Sequence, residues 1–191
     1  VLAPALHRNA IRRIRHCNGE DLILANLYMD DMALKAITPE FCKLTDTLRS
    51  LDLSHNSFGA VGIRALFDNP YTLMMPMMQL KTLCLKGTEI RSEGAINLAK
   101  LLEAEQLPAL ENLLLSKTRI GNDGVEALAP HLRHLSRLKV LDLSANTFGD
   151  KAVDSLLRPD RLPLSKLVLL NLHDCRYVSV SGFKKLALAV R

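Results

Sequence analysis

The chain has 191 residues, 48% of them apolar, with 4% aromatics and no tryptophan. That length fits one domain, and such a core must be built from Leu, Ile, Val and Ala in thin layers. Its apolar runs fall short of the roughly 18 residues of a membrane span, and no basic-then-apolar leader opens the sequence. The formal charge is +5, of which Arg8, Arg12, Arg13 and Arg15 supply +4, so the remainder carries only +1 and does not read as a surface for polyanions along the whole protein.

The first segment, residues 1–18, holds those arginines and no acid. Arg8, Arg12, Arg13 and Arg15 form a candidate anion-binding group for phosphate, RNA or an acidic tail. The competing reading is a solvated helical cap, since no aromatic side chain accompanies them for base stacking. Leu2-Ala3-Pro4-x-Leu6 repeats the pattern Leu128-Ala129-Pro130-x-Leu132 found further on. Residues 1–18 therefore read either as a basic N-terminal cap or as the remnant of an earlier repeat, with the chain then a fragment of a longer array.

From residue 19 to the end a single signature recurs. The pairs Leu22-x-Leu24, Leu51-x-Leu53, Leu83-x-Leu85, Leu113-x-Leu115, Leu141-x-Leu143 and Leu170-x-Leu172 begin at spacings of 29, 32, 30, 28 and 29 residues. Alternating leucines predict a short strand with one apolar face. Next comes a turn position occupied by Leu27, Asn56, Thr88, Thr118, Asn146 and Cys175. Asparagine there is expected to satisfy backbone groups left open at the bend, and Leu27 marks the first unit as irregular. Phe58, Ile90, Ile120 and Phe148 are expected to cap each layer. Helices follow: Ala95, Leu98, Ala99 and Leu102 form one stripe in the third repeat, with Ser92 as expected N-cap. Two irregularities stand out. An insertion, Asn69 to Met78, explains the spacing of 32 and places four methionines either in a core gap or on an adaptable surface. The sixth repeat slips by one residue between Tyr177 and Gly182.

These six in-phase copies closely resemble the leucine-rich repeat superfamily, pattern L-x-x-L-x-L-x-x-N/C-x-L, over roughly residues 19–186. The period and the later Gly followed by an apolar residue resemble its ribonuclease-inhibitor-like class. The resemblance implies an α/β solenoid, a horseshoe with parallel strands on the concave face and helices on the convex face. It implies a protein-interaction module or scaffold that is not an enzyme, with no cofactor and no small-molecule substrate. The same alternation puts the residues between the leucines on the concave face. The expected partner-contacting set is Asp52, Ser54, His55, Cys84, Lys86, Leu114, Ser116, Asp142, Ser144, Asn171 and His173. Six strands at ~4.8 Å would span about 24 Å, room for one helix or extended loop of a partner protein.

Two other functions compete with this reading. The Ran GTPase-activating proteins resemble this repeat type too, and Arg91 and Arg119 fall in outgoing loops, but that family's functional motif and acidic tail find no match here. Anionic-ligand or nucleic-acid binding through the N-terminal arginines is the other. A Cys84/His55 nucleophile pair is disfavoured because the two lie in different columns of an open face. Cys17, Cys42, Cys84 and Cys175 show no metal-ligand or disulfide spacing, so the expected compartment is cytoplasmic or nuclear, with no bound metal and no membrane insertion.

Overall fold

A computed structural model describes residues 3–67, 77–158 and 167–189. Helix α1 (Ala3–Arg15) is followed by six strand–helix units: β1 (Asp21–Ile23) and α2 (Asp31–Phe41), β2 (Ser50–Asp52) and α3 (Ala60–Phe67), β3 (Thr82–Cys84) and α4 (Arg91–Glu103), β4 (Asn112–Leu114) and α5 (Asn122–Leu128), β5 (Val140–Asp142) and α6 (Asp150–Leu156), β6 (Leu169–Asn171) and α7 (Val180–Ala189). The strands form one parallel sheet in the order β1-β2-β3-β4-β5-β6. Its register sets Leu22 beside Leu51, Leu83, Leu113, Leu141 and Leu170 in turn. Consecutive helices pack side by side on one face of the sheet. Helices need 8–10 Å between axes and strands only ~4.8 Å, so stacking the units puts the sheet on the inside of any bend.

Both leucines of each pair turn inward, and from the first unit to the fifth they are essentially inaccessible. The layer-closing residues Phe58, Ile90, Ile120 and Phe148 are fully buried, as expected. In the sixth unit Val178 is buried while Tyr177 is exposed, which is the expected slip of one residue. Of the methionine insertion, residues 69–76 lie outside the described residues; Met77 is buried and Met78 exposed.

The strands are short because the chain turns left-handed just beyond them. Asn26, His55, Gly87, Lys117, Ala145 and Asp174 all have φ between 54° and 68°. The asparagines then close the turns. Asn56 Oδ1 accepts from the Leu27 and Met29 N–H groups of the preceding unit (3.1 and 3.0 Å), and its Nδ2 donates to the Leu24 and Leu53 carbonyls (both 2.9 Å). Asn146 repeats this three units later, accepting from Thr118 and Ile120 and donating to Leu115 and Leu143. Each amide thus fastens two units together. Leu27 makes no such bond, and its own N–H is served by Asn56.

A second ladder runs along the helix starts. Asp31 Oδ1 accepts from Gly59 N–H (2.7 Å), Ser92 Oγ from Gly121 N–H (3.0 Å), Asn122 Oδ1 from Gly149 N–H (2.9 Å) and Asp150 Oδ1 from Ser179 N–H (2.8 Å). Ser92 therefore does not cap its own helix as expected. The residue at the cap is Ile90, which makes no side-chain capping bond, and the serine's oxygen reaches forward into the next unit.

Asp150 gives this ladder a pH dependence. Its carboxylate also accepts from the Ser179 hydroxyl at 2.6 Å. The Ser179 side chain first, then its N–H, hold the Asp150 pKa below the ordinary 3.8. A lowered folded pKa means that its stabilisation is complete above 3.8 and is lost as pH falls through the folded value. Thermal melts of wild type and Asp150→Asn should therefore differ near neutral pH and converge as pH falls from about 5 to about 2. A gap that stays constant over this range would refute the assignment.

Candidate functional site: the strand face and its exit loops

The surface opposite the helices is built from the residues between the leucines. Its central row runs Ile23, Asp52, Cys84, Leu114, Asp142 and Asn171, with Ile23 exposed and the others half-buried. The row before it contains Asp21, Ser50, Thr82, Asn112, Val140 and Leu169, with Asn112 Nδ2 donating to Thr82 Oγ1 (2.9 Å). Two of the central acids also serve their own turns: Asp52 Oδ1 accepts from Ser54 N–H and Asp142 Oδ1 from Ser144 N–H (2.9 and 3.0 Å). Asn171 Oδ1 does the same for His173 N–H (3.1 Å).

The serines of the expected contact set lie elsewhere than anticipated. Ser54, Ser116 and Ser144 are buried, with 6%, 3% and 9% of their surface accessible. The chain is already turning at the next residue, and a serine hydroxyl is too short to stand clear of its neighbours. Lys86 and His173 occupy the same column with longer side chains and are exposed, as is His55. Of the expected set, Asp52, Cys84, Leu114, Asp142 and Asn171 are half-buried on the strands, and His55, Lys86 and His173 are exposed just beyond them.

The strand-entry rim carries self-paired charges. Arg49 meets Glu20 at 3.4 Å, and Glu111 lies between Lys139 at 2.6 Å and Lys81 at 3.9 Å. The Lys139 ammonium in particular holds the Glu111 pKa below its usual value. In the exit loops, Arg91 and Arg119 share Glu89 at 3.4 Å each. Cys84 is unsuited to nucleophilic work: burial pushes its thiol pKa up, the direction that keeps it protonated. Two surface hollows, of about 600 and 550 Å³, lie at the two ends of the sheet, beside Leu170, Leu172 and Phe183 and beside Arg13, Cys17 and Ile23. Among the described residues no group of His, Cys, Asp or Glu side chains is placed to hold a metal ion, and no helix is long and apolar enough to cross a membrane.

The N-terminal arginines are partly committed to the fold. Arg15 pairs with Glu40 at 3.2 Å. Arg13 donates to the Ile23 carbonyl (2.9 Å) on the outer edge of β1, where Cys17 Sγ also reaches the Asp21 carbonyl (3.0 Å) and Asn18 Oδ1 accepts from Asp21 N–H (3.1 Å). Side chains here occupy backbone groups that a neighbouring strand would otherwise pair. Sequence reasoning missed this edge, because its three residues follow no repeat.

Six parallel strands in leucine register, the buried asparagines of the turns and a helix after each strand agree with the sequence comparisons. A family model described as Leucine Rich repeat matches residues 42–67, 108–129 and 130–157. These are leucine-rich repeats of the ribonuclease-inhibitor-like class. The ribonuclease inhibitor of Sus scrofa is 29% identical over 187 aligned residues, covering 79% of this chain and 40% of the relative. That of Mus musculus is 29% identical over 170, covering 74% and 36%. Human NACHT, LRR and PYD domains-containing protein 5 is 35% identical over 111, covering 58% and 9%. The chain spans two fifths or less of the length of each of these relatives. The repeats form an α/β solenoid, and the homology supports a protein-binding repeat module.

Proposed function

We propose that this segment binds a partner protein through the strand face and the adjoining exit loops, by shape and polar complementarity and without chemistry of its own. The observation that carries the reading is the face itself. Six parallel strands display a row of half-exposed side chains, from Ile23 to Asn171, that the leucine core does not need. Leu114 in this row and Val140 in the row before it stand among Asp52, Asp142, Asn112 and Asn171, the mixture of apolar centre and polar surround typical of a contact surface. The pig and mouse relatives are named for inhibiting ribonuclease, which is action on another protein. The contact set consists of Asp52, His55, Cys84, Lys86, Leu114, Asp142, Asn171 and His173. We place the protein inside the cell, since its four thiols stand at four unrelated places in the fold: the β1 edge, the end of α2, the strand face and a buried turn.

The test is affinity capture from a cell lysate with three baits: wild type, Leu114→Arg/Val140→Arg on the face, and Lys35→Glu on the exposed side of α2. All three should fold alike by circular dichroism. Proteins held by wild type and Lys35→Glu should be lost with the face variant. Recovery of the same proteins by all three baits would reject the strand face as the binding surface.

A further inference from the structure

The two rims of the sheet differ in how their charges are spent. At the entry rim the acids and bases face each other in ion pairs, Glu20 with Arg49 and Glu111 with Lys81 and Lys139. The exit rim of the third and fourth units is different. Lys86 and Lys117, just beyond β3 and β4, are both exposed, and neither has an ion-pair partner within 4.0 Å among the described residues. In the same two loops Arg91 and Arg119, with side chains 64% and 60% exposed, share the single carboxylate of Glu89. Four cations thus stand on two adjacent loops, and among the described residues their ion pairs within 4.0 Å use a single acid, Glu89. Other carboxylates stand around it: Glu93 and Asp123 begin the two helices, Asp52 lies on the neighbouring strand and Asp174, near Lys117, is bonded to Arg176 at 2.8 Å.

The cationic loops are held in shape. Lys117, Arg91 and Arg119 all have left-handed backbone, φ 55°, 55° and 59°, which long side chains adopt only where surrounding bonds impose it. Here Lys117 N–H donates to Ser144 O (3.0 Å) and Arg91 N–H to Thr118 O (3.0 Å). A ligand would meet these cations already positioned, at little cost in loop ordering.

We infer that the exit loops of the third and fourth units bind an acidic peptide segment of the partner, with Lys86, Lys117, Arg91 and Arg119 as its contacts. This inference rests on the protein-binding reading above and names the chemistry of the partner. The site spans two adjacent units, ~5 Å apart at the strands and about 10 Å at the helices, which matches three or four residues of an extended chain at ~3.3 Å each. Carboxylate side chains suit it better than a nucleic acid. The loops hold no aromatic residue for base stacking, and Glu89, Glu93 and Asp123 interrupt the positive charge that a continuous phosphate backbone requires.

The experiment is fluorescence anisotropy with a labelled oligoglutamate peptide, and in parallel a labelled single-stranded oligoribonucleotide, on the folded chain. Peptide binding should weaken about tenfold between ~0.05 and ~0.3 M salt. Lys86→Glu/Lys117→Glu should reduce it at least about tenfold, and Lys86→Gln/Lys117→Gln by less, both keeping the wild-type circular dichroism and melting curve. Arg12→Glu on α1 should leave it unchanged. Absent binding, binding indifferent to the lysine variants, or loss through Arg12→Glu overturns the inference. Tighter oligoribonucleotide binding through the same lysines overturns it too, in favour of a nucleic-acid site. Peptide binding lost through the lysine variants, with lysate capture indifferent to Leu114→Arg/Val140→Arg, would fail the strand-face reading alone; absent peptide binding, with capture lost through that face variant, would fail this inference alone.

Discussion

Replacing Asn146 by alanine should lower the stability of this protein by about 4 kcal/mol. The side chain is 3% accessible and lies between the fourth and fifth units. Its loss leaves the N–H groups of Thr118 and Ile120 buried without the acceptor they now have and takes one donor from the Leu115 and Leu143 carbonyls. Each such group costs about 1–3 kcal/mol when orphaned, and Thr118 Oγ1, which bonds both Asn146 Oδ1 and Leu115 O, recovers part. At about 2–4 °C per kcal/mol for a chain of this size, the melting temperature should fall by about 8–16 °C. Cys175→Ala is the matched comparison. It holds the same column one unit later, where its Sγ donates to the Leu143 carbonyl at 3.3 Å and faces the Ala145 and Asn146 N–H groups, but sulfur is a weak donor and acceptor, so about 1 kcal/mol is expected. Equal losses at the two positions, measured by calorimetry or circular dichroism melts, would show that the amide is not what fastens the units.

Gly124→Ala should destabilise by about 2 kcal/mol, against the direction that helix propensity alone dictates. Within a helix, alanine is favoured over glycine by about 1 kcal/mol. Here an added Cβ would stand 2.8 Å from Ile120 Cγ2, 2.9 Å from Ser92 Cα and 3.1 Å from Ala95 Cβ. The Ser92 contact is with backbone, so relief requires α5 to move away from α4. Overpacking of this kind costs about 1–3 kcal/mol and sometimes more, which outweighs the propensity gain. A fall in melting temperature of about 4–8 °C is expected. Gly121→Ala, three residues earlier, meets Ser92 Oγ at 3.2 Å and Thr147 Oγ1 at 4.0 Å, both side-chain atoms, and should cost clearly less. A melting temperature that rises on Gly124→Ala would mean that the helices are not packed this closely.

The repeat, the strands and their inward leucines were legible in the sequence because a two-residue alternation repeated six times leaves little choice of face. The roles of Asn56 and Asn146 were legible for the same reason: a buried amide in a tight bend has backbone groups to satisfy. The strand alternation failed where it was carried two residues too far. Ser54, Ser116 and Ser144 keep the parity of Asp52, Leu114 and Asp142, yet the left-handed residue after each serine ends the strand, and the short hydroxyls stay below the surface. The helix-start ladder had a signal in the sequence, since Asp31, Ser92, Asn122 and Asp150 are in phase with the repeat. It was hidden because an N-cap serine and a serine bonding the next unit look alike in one dimension. The overlooked edge bonds of Arg13, Cys17 and Asn18 had no signal at all.

The amino-acid sequence by itself determined the number of units, their period and which side chains form the core, because those follow from local alternation and the need to bury leucine. The tertiary structure alone decided which charges are cancelled and which remain. Glu20 and Arg49 are 29 positions apart, Glu111 and Lys139 are 28 apart, and only stacking of the units brings them within ion-pair distance. The same stacking leaves Lys86 and Lys117, on adjacent loops, without an ion-pair partner among the described residues, a property of distances between units that no single repeat contains.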